Sequence, residues 1–271
     1  MITNVDPSSD VGVLFSGYVK ETFDLLNLFR QNARIVLPEE FSPRIASSLK
    51  VLVVPSGGFG GLRTSEVFKA SLEGYIRNGG NVLVLSQEKG IDFSILPLNP
   101  TGYGWVEDMG CFYGSVGFDT YHQVLSGITK TITDIPVDGY LMDIPQGSIS
   151  LLRRIANWMP AYILYPYGSG WIGVTTAYTD WGWPRAQVSE DGKKVVRDFI
   201  TWARKPDVLP EVNPGGSANY TVRVVNDSPI TAQGLRMTIL DPDRGGIANE
   251  MNYSVTFEPG VGNEFPVGYS T

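Results

Sequence analysis

Val51-Leu52-Val53-Val54-Pro55-Ser56-Gly57-Gly58-Phe59-Gly60-Gly61 decides the fold, because an apolar run of strand length ends there in a glycine-rich turn. A segment with helical periodicity follows as far as Arg77, and a turn at residues 78–81 leads into a second apolar run at residues 82–87. Strand, turn, helix and strand in this order predict a parallel βαβ unit.

The same alternation of short apolar runs and helical segments extends through the first two hundred residues. In the helix of the βαβ unit, we expect Thr64 to act as the N-cap and Val67, Leu72 and Ile76 to face inward. Apolar strands separated by helices are typical of a sheet that is covered on both faces. The sequence therefore predicts a doubly wound, mostly parallel α/β domain of the flavodoxin-like three-layer kind over residues 1–204.

Changes in composition predict the remaining organisation. Residues 90–150 are rich in Gly, Pro, Asp and aromatics and read as an insertion, and residues 205–216 form a Pro- and Gly-bearing linker. Behind the linker, residues 217–271 show the period-two alternation of β-strands. We expect this segment to be part of an immunoglobulin-like β domain whose remainder lies beyond Thr271.

Charge and residue counts exclude several classes of function. The 271 residues carry a formal net charge of -7, which argues against a nucleic-acid partner. No apolar run reaches the roughly 20 residues that a membrane-spanning helix needs, so no membrane insertion is expected. Cys111 and His122 are the only residues of their types, which excludes an internal disulfide and a multi-histidine metal centre. We expect neither a metal nor a cofactor.

Three motifs carry a resemblance to a known family. Residues 51–58, the return strand at 79–85 and residues 168–182 resemble the class I glutamine amidotransferase-like (DJ-1/PfpI-like) superfamily. The resemblance is to non-catalytic members that belong to large bacterial surface or carbohydrate-related proteins and precede immunoglobulin-like modules. It implies a part of a larger exported bacterial protein, in the periplasm or at the cell surface, with the cytoplasm as the alternative location.

The resemblance also implies which residues form the site. Active members use a Cys on a sharp turn after a strand, a His and a Glu after a later strand, and backbone N–H groups that hold the oxyanion. Here the elbow position holds Ser86 or Gln87, and the His and Glu positions hold Tyr178 and Asp180. We therefore predict no catalytic residues and a shallow binding pocket whose candidates are Ser56, Gly57, Gly58, Ser86, Gln87, Tyr178, Asp180 and Trp181.

Two other functions remain open. A hydrolase acting on a sugar or an amide would need a base within about 3 Å of Ser86 Oγ, or two carboxylates about 5 to 10 Å apart in an open cleft. The loop carboxylates available for the second arrangement are Glu107 with Asp108, and Asp138 with Asp143. A carbohydrate-binding module would use Trp181 and Trp183 as a stacking platform. The expected partner is accordingly a carbohydrate or a protein. A thiol–imidazole pair of Cys111 and His122 is not expected, because Cys111 lies in an apolar setting.

Overall fold

The computed structural model describes residues 2, 5–108, 113–120, 122–126, 128, 131–204, 217–225, 231–241, 246–257 and 262–270. The chain divides into two compact units, unit 1 (Met1–Pro206) and unit 2 (Asp207–Thr271). Cys111, and with it the expected behaviour of its thiol, lies outside the described residues.

Unit 1 contains eleven strands and five α-helices in the part of the chain that the structure describes. The strands are β1 (Val11–Leu14), β2 (Arg34–Val36), β3 (Val51–Val54), β4 (Asn81–Val84), β5 (Thr101–Tyr103), β6 (Tyr113–Phe118), β7 (Ile132–Pro136), β8 (Tyr140–Asp143), β9 (Ile149–Arg154), β10 (Pro160–Tyr167) and β11 (Gly170–Thr175). The helices are α1 (Val19–Leu28), α2 (Pro43–Ala46), α3 (Glu66–Arg77), α4 (Thr179–Gly182) and α5 (Glu190–Arg204). Short 3₁₀ turns lie at Pro38–Glu40, Leu62–Thr64, Gly90–Ile95, Gln123–Leu125 and Trp183–Arg185.

Nine of these strands form one mixed sheet in the order β2-β1-β3-β4-β11-β10-β9-β6-β7. The pairings from β2 to β11 are parallel, as predicted for an α/β domain, and those from β11 to β7 are antiparallel. Strands β10 and β11 form a hairpin with a tight turn at Gly168 (φ +60°), and such a pair is antiparallel because its connection needs no crossover helix. The sheet is therefore mixed rather than mostly parallel.

The segment predicted as an insertion contributes to this sheet. Its strands β6 and β7 extend one edge, while β5 and β8 pair with each other in a separate two-stranded ribbon. The pairing of β6 with β9 depends on contacts distant in sequence, which local periodicity does not encode.

Residues of the parallel strands alternate between two apolar clusters. Val51 and Val53 belong to a cluster that includes side chains of α1 and α5, whereas Leu52 and Val54 belong to one that includes side chains of α3. Alternation of this kind follows from the period of two in a strand. It explains why all four residues of β3 are buried.

Helix α3 differs by one position from its prediction. Ser65, not Thr64, is the N-cap, and its hydroxyl accepts a hydrogen bond from the Phe68 N–H at 3.3 Å. Leu72 and Ile76 face inward as predicted, together with Phe68 and Tyr75, while Val67 is 78% exposed. Phe68 takes the inner position predicted for Val67, and neighbouring residues of a helix point about 100° apart because a turn takes 3.6 residues.

Unit 2 is all β in its described residues. Strand β12 (Ser217–Val225) pairs antiparallel with β15 (Gly262–Ser270), and β13 (Ala232–Asp241) pairs antiparallel with β14 (Gly246–Phe257). The alternating segments of the sequence thus lie in strands. No helix in the described part of the chain is long and apolar enough to cross a membrane.

Candidate functional site

The predicted site residues meet at the carboxyl ends of β3, β4 and β11. We call this region the crest and define it as residues 55–61, 86–89 and 176–181. The Gly57 N–H donates to the Ser86 carbonyl at 2.9 Å, and the Ser86 N–H donates to the Ala177 carbonyl at 3.3 Å. Parallel strands end at one edge of the sheet, so residues far apart in sequence converge there.

Asp180 is the centre of the crest. One carboxylate oxygen accepts the Ser56 N–H and the Thr22 hydroxyl, both at 2.9 Å. The other accepts the Ser56 hydroxyl at 2.6 Å and the Trp181 N–H at 2.9 Å. The side chain is fully buried, and this burial raises the pKa of Asp180 against the opposing effect of these hydrogen bonds. Asp180 therefore ties β3, α1 and α4 together and presents no free oxygen to a ligand.

Ser86 stands where the resemblance predicts a nucleophile, but it lacks the surroundings that a nucleophile needs. Its hydroxyl is fully buried and has no hydrogen-bond partner. His122 lies instead against Trp202 and Trp171, with ring centroids 5.3 Å and 6.4 Å away.

His122 is also at the other end of the sheet. The Trp171 N–H donates to the Asn81 side chain, and Asn81 begins β4. Because Ser86 lies five residues further along an extended chain, it is about 16 Å from that end. The one histidine of the chain therefore does not serve as a base for Ser86.

In the glycine-rich turn, every backbone N–H group of residues 56–60 already donates a hydrogen bond within the protein, so none is left for an oxyanion. The Gly58 N–H donates to the Pro55 carbonyl, and the Gly60 N–H donates to the Gly57 carbonyl. The Phe59 N–H donates to the side-chain oxygen of Gln87 at 2.8 Å. With the Ser56 and Gly57 donors described above, every amide of this turn is used within the protein.

Gln87 fixes the same turn from the neighbouring strand. Its amide nitrogen donates to the carbonyls of Pro55 and Leu85, at 3.2 Å and 2.9 Å, and its side chain is fully buried. Because the side-chain oxygen and nitrogen of Gln87 are both hydrogen-bonded within the protein, this buried amide connects two segments of the fold. Gln87 therefore spans β3 and β4 rather than facing a ligand.

Three aromatic side chains cover the crest. Tyr178 contacts Trp105 and Trp181 edge to face, with centroid distances of 5.7 Å and 5.6 Å. Trp105 lies so close to Gly57 that a Cβ atom there would come within 3.1 Å of the indole. The sequence predicted Tyr178 and Trp181 at the site but not Trp105, which belongs to the segment read as an insertion.

Trp181 and Trp183, the two tryptophans expected to form a sugar-stacking platform, each lie against a cationic side chain. The guanidinium of Arg185 lies 4.4 Å from the ring centroid of Trp181. The indole nitrogen of Trp183 is buried without a hydrogen-bond partner, and Lys193 lies 5.6 Å from its ring centroid. Both rings are half-buried rather than exposed.

The loop carboxylates are distributed differently from their predicted pairs. Asp138 accepts a hydrogen bond from the Tyr178 hydroxyl at 2.8 Å and is only 3% exposed. Burial raises the pKa of Asp138, and the charge of Asp108 adds to this effect. Asp108 in turn pairs with Arg154.

Glu107 and Asp143 are engaged elsewhere. Glu107 accepts the N–H groups of Gly90 and Gly104, at 2.7 Å and 2.9 Å, and Asp143 accepts the Thr101 hydroxyl at 2.5 Å. Asp138 and Asp108 thus come together in a buried setting rather than in an open cleft. Among the residues that the structure describes, no group of three or more His, Cys, Asp or Glu side chains is placed to hold a metal ion.

A small pocket lies at one edge of the crest and includes four of its residues, Gly60, Gly61, Glu88 and Lys89. Its volume is about 240 Å³, and its lining residues are Gly60, Gly61, Arg63, Thr64, Glu88, Lys89 and Asp92. Neither Ser86 nor Tyr178 lines this pocket. At the centre of the crest, the polar side chains of Ser56, Gln87 and Asp180 form hydrogen bonds within the crest itself.

No protein-family model matches the sequence, and no curated protein matches it. Among solved structures, PurLQS from Thermotoga maritima aligns with 71% of this chain and 97% of its own at 12% identity and a TM-score of 0.56. Cytoplasmic protein STM3548 from Salmonella typhimurium aligns with 71% of this chain and 98% of its own at 13% identity and a TM-score of 0.51. A β-galactosidase from Bacillus circulans sp. alkalophilus aligns with 99% of this chain and 42% of its own at 12% identity and a TM-score of 0.49. The first two likenesses show that the α/β fold is shared with these proteins.

Proposed function

We propose that unit 1 is a non-catalytic, amidotransferase-like domain with a three-layer wound fold that serves as a binding or scaffolding part of a larger exported bacterial protein. Unit 2 would then be part of an immunoglobulin-like module. The fold shared with PurLQS and STM3548 is compatible with the first assignment. The strand pairings of β12 to β15 are compatible with the second.

The observation that carries the non-catalytic assignment is the state of Ser86. Acyl transfer requires a nucleophile that a base activates and an oxyanion site with unused donors. The Ser86 hydroxyl is buried without a partner, and the amides of the neighbouring turn are already paired. Both requirements are therefore unmet at the position where the resembled family places its chemistry.

A direct test is to incubate the full chain with glutamine and measure the ammonia released. We expect no release above a protein-free blank, and the same result for Ser86→Ala. Release by the wild-type chain that disappears in Ser86→Ala would refute the proposal. The same pair of proteins assayed on nitrophenyl glycosides tests hydrolase activity on sugars, for which we also expect none.

The carbohydrate-binding alternative concerns Trp181, whose face is shared with Arg185 in this structure. A guanidinium stacked on an indole occupies the surface that a pyranose ring would need. A glycan array on the full chain decides between these roles. Binding that Trp181→Ala removes, with folding intact by circular dichroism, would favour the carbohydrate role over the scaffolding role.

A further inference from the structure

A second cavity lies at the opposite end of the sheet from the crest, where β3 and β4 begin. Its volume is about 380 Å³, within the range of about 300 to 1,000 Å³ that is typical of small-molecule sites. Its walls are α2, the outer turns of α3 and the last residues of α5. None of the predicted site residues lines it.

Small residues on the surrounding helices create this space. Ala46 on α2 and Ala70, Ser71 and Gly74 on α3 line the cavity. A Cβ atom added to Gly74 would meet no atom within 4 Å, so the missing side chain opens directly onto empty volume. Glycine in the interior of a helix costs about 1 kcal/mol relative to alanine, and no steric contact requires it here.

The inner wall of the cavity is apolar and fixed. The Tyr75 ring lies against Gly80, where an added Cβ would come within 2.1 Å of it, and the Tyr75 hydroxyl donates to the Asn81 carbonyl at 3.1 Å. Leu49 lines the same wall and is 5% exposed. Since Tyr75 is itself only 4% exposed, these two side chains form a narrow and rigid floor, and the small residues of α2 and α3 line the space above it.

The charge of the lining is positive. Among the described side chains that line the cavity, those of Lys50 and Arg204 are charged. Arg204 is already neutralised by Asp10, which accepts its guanidinium at 2.7 Å. The Lys50 ammonium has no ion pair within 4 Å among the described residues, in a chain with a net charge of -7. An unneutralised cation beside an apolar wall favours a ligand that combines an anion with an apolar body.

We propose that this cavity binds a small organic anion, with an apolar ring of the ligand in the space left by Ala46 and Gly74 and its carboxylate at Lys50. The occupant is of the class of aromatic carboxylates. The site is independent of the crest, so it stands whether or not unit 1 is catalytic.

The probe for this proposal is 2-naphthoate, with the isosteric neutral 2-naphthamide as its comparison. Saturation-transfer NMR and thermal shift on the full chain report binding. We expect 2-naphthoate to bind about fivefold to tenfold more tightly than the amide, since a single partly exposed ion pair contributes about that factor. Lys50→Met should abolish this preference and leave amide binding unchanged, while Lys89→Met, at the opposite end of the sheet, should change neither.

Gly74→Leu tests the cavity itself, because its side chain fills the space that Gly74 leaves open. We expect it to abolish binding of both probes, whereas Gly74→Ala, which adds one methyl group, retains binding and controls for folding. Absence of 2-naphthoate binding to the wild-type chain would overturn the proposal. Binding that persists equally in Lys50→Met and Gly74→Leu would overturn it as well.

Discussion

Replacing Asp180 by Asn tests whether this carboxylate holds the crest together. The change preserves shape and volume but converts one acceptor oxygen into a donor NH₂ group. Each oxygen of Asp180 accepts one backbone N–H and one hydroxyl, from Ser56 and Thr22 on one side and from Trp181 and Ser56 on the other. Whichever way the amide turns, its NH₂ group faces a backbone N–H that cannot rotate away.

The magnitude follows from these contacts. A buried donor without an acceptor costs about 1 to 3 kcal/mol, and the two hydroxyls adapt by rotating to accept from the NH₂ group. The remaining hydrogen bonds lose the help of a full charge, which weakens them further. Removal of a buried charge offsets part of this loss, because burial alone disfavours the ionised Asp180. We expect Asp180→Asn to lower the free energy of unfolding at pH 7 by about 2 to 3 kcal/mol.

Urea unfolding followed by tryptophan fluorescence measures this effect in unit 1. All six tryptophans lie in unit 1, so the signal is free of contributions from unit 2. With a urea dependence of about 2 kcal/mol per molar, the midpoint should fall by about 1 to 1.5 M. The control is Glu66→Gln, an acid-to-amide change in a surface pair with Lys69 in which Glu66 is 81% exposed, for which we expect less than about 0.5 kcal/mol. A midpoint for Asp180→Asn within about 0.25 M of the wild type would refute the structural role given to this carboxylate.

Four further substitutions probe the same domain. Ser86→Ala removes a buried hydroxyl without a partner and should leave the urea midpoint unchanged or raise it. Ser56→Ala removes a hydroxyl that donates to Asp180 and should lower the free energy of unfolding by about 1.5 to 3 kcal/mol. Equal effects of the two substitutions would contradict this reasoning. Burial raises the pKa of the Asp138 carboxyl, so its protonated form contributes to folding stability. This contribution to stability is complete below the ordinary aspartate pKa, and it is lost as the pH rises through the folded-state pKa. Asp138→Asn should therefore gain stability relative to the wild type as the pH rises above about 4 in urea titrations, and a relative loss in that direction would show the opposite linkage. Gly74→Ala should raise the free energy of unfolding by about 0.5 to 1 kcal/mol, and a lower thermal midpoint would mean that the added methyl group meets an atom after all.

Local patterns predicted the elements that position the crest. The strand at Val51–Val54 has the bounds that its apolar run indicates, and α5 buries Val195, Val196, Phe199 and Ile200, whose spacing places them on one face of a helix. These features depend on spacing within one segment, which the sequence displays directly. The one-residue shift of α3 arose because Thr64 and Ser65 are both acceptable N-caps, and only the geometry of the turn selects between them.

Contacts between distant segments were beyond such reasoning. Thr22 and Asp180 are separated by 158 positions, and their hydrogen bond exists because α1 and α4 pack against each other. Trp105 covers Gly57 from a segment whose sequence shows only glycines and aromatics without a period. In both cases the partner is set by the path of the chain through space, so a residue list predicts the position of the crest but not what closes it.

The chemistry of the crest depends on which anion its donors bind. In an active amidotransferase-like site, backbone N–H groups beside the elbow are held ready for the oxyanion of a substrate. Here the Ser56 N–H and hydroxyl bind the carboxylate of Asp180, at the position for which the resemblance predicts the family's Glu. An internal anion held by four hydrogen bonds has an effective concentration that no diffusing substrate reaches. Under the proposed function, the donors that a substrate would need therefore stabilise the protein instead.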